Sequence, residues 1–234
     1  MATYLYCVRS DDREVPGGLF GIDGAPVRAI DAAGLVAWVS DAIATSVDVT
    51  VERVRAHDAV CAAAVSLGET PLPIRFGQSF PDDGATVAAI DARRRSLETR
   101  LARVAGCVEM RVVVAGGRPV ADEHTPGAID APDASMPEGP GTAFLRRLAR
   151  AGRADIAREV SCEDARHAVR DAARALIVDQ QPCESARGVS YFPVLVRRDA
   201  LNEFLAAMTD ILSSQAIDLS VLGPFAPYSF AGDG

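Results

Sequence analysis

Three histidines, five cysteines and one strand-borne glutamate are the residues of this chain whose types and spacing could do chemistry. His57, His124 and His167 have no second histidine at metal-ligand spacing, which leaves no histidine-based metal site. His57 and Asp58 stand side by side in a helical stretch, where neighbours point about 100 degrees apart and cannot act on one substrate atom. His57 is therefore read as a residue without a chemical role. Cys162 and His167 are five residues apart on a helical segment, nearly one and a half turns, which is poor geometry for a thiolate and its base. Cys162 is read as structural. The cysteines at 7, 61, 107, 162 and 183 are odd in number and contain no short-spaced pair. That pattern argues against a disulfide framework and against a clustered zinc site, and it points to buried thiols in a reducing compartment. Glu109 and Arg111 alternate onto one face of a strand, so an ion pair or plain solvent exposure accounts for both.

Neither a GxSxG nucleophile elbow nor a GxGxxG dinucleotide loop occurs, and Gly139 to Gly141 before Thr142 reads as an ordinary helix-start turn. All 24 basic residues are arginine, which removes Schiff-base chemistry, a lysine general base and a phosphate-loop lysine. The 32 acidic residues bring the formal charge to −8, so the general attraction to nucleic acid or anionic lipid is missing. The Arg93 to Arg95 run reads as a solvated helix face, with Arg94 nearer the apolar stripe and in need of a carboxylate partner or an exposed tip. No catalytic, cofactor-binding or metal-binding residue emerges, and the reading is of a non-enzyme. Met1 to Ser10 lack the pattern of an export signal, and no stretch nears the ~18 apolar residues of a membrane span. A cytoplasmic, soluble protein is expected.

The elements that must carry these residues follow from periodicity. Thr3 to Val8 is a strand, Ser10 to Gly24 a loop, and Val27 to Ile30 with Leu35 to Ser40 a hairpin. Thr50 caps a helix to about Leu67 with Val51, Val54, Cys61 and Val65 on its buried face and Gly68 as its stop. Pro71 to Gly77 is extended and fits only a sheet edge. Gly84 to about Val104 is a second amphipathic helix, and Cys107 to Ala115 a strand. Thr142 caps a helical region that runs, with a break near Gly152, to about Ile177. Val189 to Val196 (strand), Leu201 to Leu212 (helix) and Ile217 to Leu222 (strand) close the chain.

With 234 residues, 49% of them apolar, the chain suffices for one large domain or two small ones. The predicted class is α+β: two domains, each a small antiparallel sheet with helices on one face and ferredoxin-like character, followed by an extended proline and aromatic tail. The boundaries are 1–115 for the first domain, 116–140 for a Pro/Gly/acidic linker, 141–223 for the second domain and 224–234 for the tail. The strand Cys107 to Ala115, which periodicity cannot assign to a sheet, is placed in the first domain. In the tail, Pro224 and Pro227 stiffen a segment carrying Phe225, Tyr228 and Phe230, so it loses little entropy on docking. It can dock on its own protein, bridging the domains, or be displayed to a partner.

TYLYCV at the start, the His57-Asp58 pair, PLPIRFGQSF from Pro71 to Phe80, CVEMRVVV, GTAFLRR from Gly141 to Arg147 and the closing GPFAPYSF together resemble the GvpL/GvpF family of gas vesicle proteins. Asp58 in place of Glu, Met110 in place of an aromatic and Phe225-Ala226 in place of Trp-Pro are departures from that pattern. The resemblance implies two α+β domains and a non-enzymatic accessory protein of gas vesicle assembly. It also implies contact with the hydrophobic major shell subunit and other accessory proteins, and residence at the vesicle in the cytoplasm. Pro73, Arg75 and Phe76 in the edge segment, and Pro224, Phe225, Pro227, Tyr228 and Phe230 in the tail, are the expected partner-binding or tail-docking residues. A small-molecule-sensing module built from paired sheets is the alternative.

Overall fold

A computed structural model describes residues 1–12, 14–115, 162–186, 189–214 and 218–232. The expected 116–140 linker, the Thr142 cap, the Gly141 to Arg147 helix start and His124 lie outside these residues. Two five-stranded antiparallel sheets organise the chain. The first is built from β1 (Ala2–Arg9), β2 (Val27–Ala32), β3 (Leu35–Ala42), β4 (Leu72–Pro73) and β5 (Ser79–Phe80), in the order β2-β3-β1-β4 with β5 also on β1. Between its strands run α1 (Val51–Ser66), and after them α2 (Asp83–Asp91) and α3 (Arg94–Val104).

The hydrophobic alternation of β1 serves both faces of this sheet. Tyr4 and Tyr6 enter the core with Val60, Cys61 and Ala64 of α1, while Leu5 and Val8 enter the one with Ile90 of α2 and Leu97, Leu101 and Val104 of α3. The one-sided helical cover expected of each sheet is thus extended to two sides here. Thr50 Oγ1 accepts from Arg53 N at 3.3 Å and starts α1, and Gly68 at φ +117° follows its end, as the cap and stop signals require. The buried face of α1 is His57, Val60, Cys61, Ala64 and Val65; Val51 and Val54, expected inside, are 60% and 40% exposed. The single helix expected from Gly84 to Val104 is two, broken at Ala92 and Arg93, with Asp82 capping the first through Ala85 N at 2.7 Å. Arg94 finds its carboxylate in Glu98 at 2.8 Å.

The second sheet contains β6 (Cys107–Ala115), β7 (Ile177–Gln180), β8 (Glu184–Ala186), β9 (Val189–Arg197) and β10 (Asp218–Phe225). Helix α4, described over 162–172, follows β6 in the chain, and α5 (Leu201–Ser214) joins β9 to β10. The order β10-β6-β9-β7, all antiparallel, is that of a split βαβ unit of the ferredoxin-like kind. The placement of Cys107 to Ala115 in the first unit is therefore corrected: as β6 it is a central strand of the second sheet, hydrogen-bonded along both edges by β9 and β10. Its almost unbroken apolar run is what a strand flanked on both sides demands, but that run does not say by whom. Val108, Met110, Val112 and Val114 point into a core shared with Phe192, Val194 and Val196 of β9 and Phe204, Met208 and Ile211 of α5.

The cysteine reading divides. Cys7, Cys61 and Cys107 are free and buried as expected, but Cys162 and Cys183 form a disulfide with Cα atoms 6.2 Å apart. The bond ties α4 to the connection between β7 and β8, a contact made by the fold that spacing in the chain does not announce. It closes a loop with a sequence separation of 21 residues. Replacing Cys162 and Cys183 together by Ala should lower the unfolding free energy in guanidinium by about 3 kcal/mol. An unchanged denaturation midpoint would show that the bond does not contribute to stability.

Candidate functional site

Helix α1 turns His57 inward, 2% exposed, onto the aromatic face of β1. Tyr4 Oη accepts from Gly77 N at 3.0 Å and lies 2.9 Å from His57 Nδ1. Nε2 lies 3.0 Å from Ile74 O. Both ring nitrogens of His57 thus have partners, and the residue clips the LPIRFG segment to β1. The remaining clips are Ile74 N to Tyr6 O at 2.9 Å and Leu5 N to Gln78 O at 3.0 Å. Pro73 pairs opposite Cys7 on β4, whose few residues let a proline be tolerated there. Of the three residues singled out in this segment, Pro73 is thus buried and structural. Arg75 is exposed, and Phe76 is half-buried with its ring 5.7 Å from His57 and 6.0 Å from Tyr4.

The end of the chain arrives at the same histidine. Pro224 and Phe225 belong to β10, so the extended tail expected from 224 onward begins as sheet, and Tyr228–Phe230 form a short 3-10 turn. Gly223 allows this path: its φ is +129°, and a Cβ there would lie 2.9 Å from both Glu109 O and Met110 Sδ. Phe225 pairs in register with Glu109, and the Arg111 guanidinium lies 5.7 Å from the Phe225 ring and 5.0 Å from that of Tyr191. Pro227 is buried, Phe230 is 1% exposed, and the Tyr228 ring centre is 6.2 Å from His57. Two segments far apart in the sequence, one containing Phe76 and one containing Tyr228, therefore converge on one helix.

What holds the turn is a residue whose role the sequence reading missed. Glu109 is 1% exposed and accepts from Ser229 N at 2.8 Å and Ser229 Oγ at 3.0 Å, with Arg111 Nη2 at a longer 3.4 Å. The expected Glu109–Arg111 pair exists, but the closer donors come from the tail. A buried carboxylate on a central strand needs such donors, and that need was the only signal in the sequence that could have found them. Burial pushes the Glu109 carboxyl above the usual carboxylate range, while the Ser229 donors and Arg111 pull the other way.

The other titratable groups here are sealed. Cys61 is 0% exposed, its thiol donates to Tyr6 O at 3.5 Å, and its sulfur is 3.7 Å from His57 Nε2. Burial raises the Cys7 thiol, and contact with Cys7 draws Cys61 downward. A thiol with no surface meets no substrate. His167 is exposed while Cys162 is buried in the disulfide, so those two do not cooperate. Among the described residues no group of three or more His, Cys, Asp or Glu is placed to hold a metal ion, and no helix is long and apolar enough to cross a membrane.

Because the Glu109 pKa is raised on folding, the folded chain keeps a proton that the unfolded chain has released between the two values. The stability this provides is complete below the ordinary carboxylate range and is lost as pH rises through the folded-state value, about 1.4 kcal/mol for each unit between them. The unfolding free energy of the unaltered chain minus that of Glu109→Gln should therefore fall as pH rises from mildly acidic to neutral. A difference that is flat or rises with pH would contradict the burial argument.

Comparison with known proteins bears on the whole chain. Residues 2–232 match the family described as gas vesicle synthesis protein GvpL/GvpF. Gas vesicle protein F of a Streptomyces species is 33% identical, the alignment covering 98% of this chain and 99% of that one. Gas vesicle protein L of the same organism is 29% identical, covering 98% of this chain and 92% of that one. The crystal structure of GvpF from an Anabaena species is similar with a TM-score of 0.74 at 18% identity, covering 100% of this chain and 97% of that one, which supports the fold. The family match over residues 2–232 and the 33% identity to a full-length relative lead to one conclusion: this chain belongs to the GvpL/GvpF family of gas vesicle proteins.

Proposed function

We propose that the chain acts in gas vesicle assembly by binding the hydrophobic major shell subunit, as a chaperone or nucleator and without catalysis, at the vesicle in the cytoplasm. A shell subunit awaiting polymerisation exposes apolar surface and strand edges that aggregate unless covered, and an acidic partner that stays dispersed can cover them transiently. The observation that carries the reading, beside family membership, is the seam around His57. There Phe76 and Tyr228 are half-buried, and Leu222 (48% exposed), Pro224 and Phe225 follow at the end of β10. Among the described residues β10 is an outer strand of its sheet, so an extended segment can pair along it while its side chains meet these apolar groups. Arg75 stands at the rim and supplies a charge for register. Of the residues first singled out, Arg75, Phe76, Pro224, Phe225 and Tyr228 are proposed as contacts. Pro73, Pro227 and Phe230 are proposed as their support.

Purified shell subunit, immobilised, should capture the unaltered chain, and the double substitution Phe76→Ala with Phe225→Ala should weaken capture by roughly tenfold with cooperative melting retained. Equal capture of both chains removes the seam from the interface. Failure of the unaltered chain to be captured, in cells that still float when it is deleted, overturns the assembly role.

A further inference from the structure

Over its described residues, helix α4 rests on the core through small side chains. Cys162, Ala165 and Val169 are buried, with Ala173 just past its end. Further ties come from the connection between β7 and β8. Gln180 Nε2 donates to Arg166 O at 3.2 Å, and the Cys183 backbone N–H is directed at the Glu163 carboxylate. The Cys162–Cys183 bond is the covalent member of this set. Its two ends differ in access. Cys162 is 0% exposed whereas Cys183 is half-buried, so a thiolate arriving from solvent meets the bond from the Cys183 side.

Both states of the bond suit this fold. With the bond broken, the Cys162 thiol stays in the core as a small apolar group and the Cys183 thiol turns to solvent, so neither leaves a buried polar group unanswered. The Gln180 and Glu163 contacts keep the two thiols near each other and raise their effective concentration for closing again. We propose that Cys162–Cys183 is a reversible redox clasp. The thiolate of a monothiol of the glutathione type attacks Cys183 Sγ, the sulfur–sulfur bond breaks, and Cys162 leaves as a thiolate that takes a proton from solvent. A second monothiol thiolate then removes the first as its disulfide, and Cys183 is protonated. Two electrons thus pass from two monothiols to the clasp, and the oxidised monothiol drives the reverse. Closed, the clasp locks residues 181–185 onto α4. Open, it leaves them on hydrogen bonds alone, so that they part from α4 and return repeatedly. β8 follows them: it has three residues, and its Glu184, adjacent to Cys183, accepts from Tyr191 Oη of β9 at 2.5 Å. The proposal rests on the surroundings of the bond and is independent of shell-subunit binding, which enters none of its readouts.

The full chain is equilibrated in mixtures of reduced and oxidised glutathione, quenched with acid, unfolded and labelled with a maleimide. As reduced glutathione comes to dominate, the mass should pass from three labelled cysteines to all five, and return to oxidised glutathione should restore three. Brief labelling of the folded, reduced chain should reach Cys183 and spare the buried Cys7, Cys61 and Cys107. On reduction, hydrogen exchange at residues 181–185 should quicken roughly tenfold while that of β6 holds. Glu163→Ala should shift the equilibrium toward the open form by roughly threefold, and Glu163→Gln, whose amide oxygen still accepts, should recover most of that shift. A bond that survives excess reduced glutathione until the chain melts is a static brace and overturns the proposal. So does labelling of Cys7, Cys61 and Cys107 in step with Cys183, which means that the bond opens only through unfolding.

Discussion

A carboxylate inside a sheet has to be answered, and in this chain the answer comes from the last few residues. Glu109 lies on a central strand of the second sheet, and Ser229 supplies it with a backbone N–H and a hydroxyl. Hydrogen bonds to a charged group contribute about 1.5 to 3 kcal/mol each, and a buried charge left bare costs more. The constraint fixes where the terminal turn sits, which sets Tyr228 against α1, Phe230 among Leu5, Val8 and Leu195, and Gly223 over Met110. Leu5 and Val8 belong to the first sheet and Leu195 to the second, so the buried cluster that holds Phe230 draws on both. Thr70 Oγ1, donating to Cys107 O at 2.6 Å, is a polar tie between the first half of the chain and β6.

The histidine on α1 plays the matching part for the first sheet. With both ring nitrogens engaged it links β1, the Pro71 to Gly77 segment and α1, and it presents an aromatic face to Phe76 and Tyr228. The work done is positional: an extended proline-containing strand, which can take few ladder hydrogen bonds, is held by side-chain and backbone bonds instead. The buried Arg9 follows the same logic, paired with Asp11 at 2.6 Å, donating to Ala64 O at 2.7 Å and lying 5.4 Å from the Trp38 ring centre.

Local signals were readable in the sequence and long-range ones were not. The Phe204, Met208 and Ile211 stripe gave α5, the continuous apolar run gave β9, and the Thr50 and Gly68 signals bounded α1, because each is a property of consecutive residues. Val51 and Val54 misled because they sit on the first turn of α1, past the edge of the core, where helical spacing persists without anything to pack on. The sheet that owns β6, the bond between Cys162 and Cys183 and the Ser229 donors to Glu109 depend on which distant residues meet. The family pattern located LPIRFG and GPFAPYSF, but only the fold reveals that both end on His57. The seam they form sets the Phe76 and Tyr228 rings 5.7 and 6.2 Å from that of His57.

The central claim, that Glu109 and Ser229 act as one interaction that fixes the terminal turn, is tested most directly by a double-mutant cycle in chemical denaturation. Glu109→Gln, Ser229→Ala and the pair together should give a coupling free energy of about 1 to 3 kcal/mol. Single-variant effects that add to within ~0.5 kcal/mol would mean the two residues are energetically separate and would contradict the account.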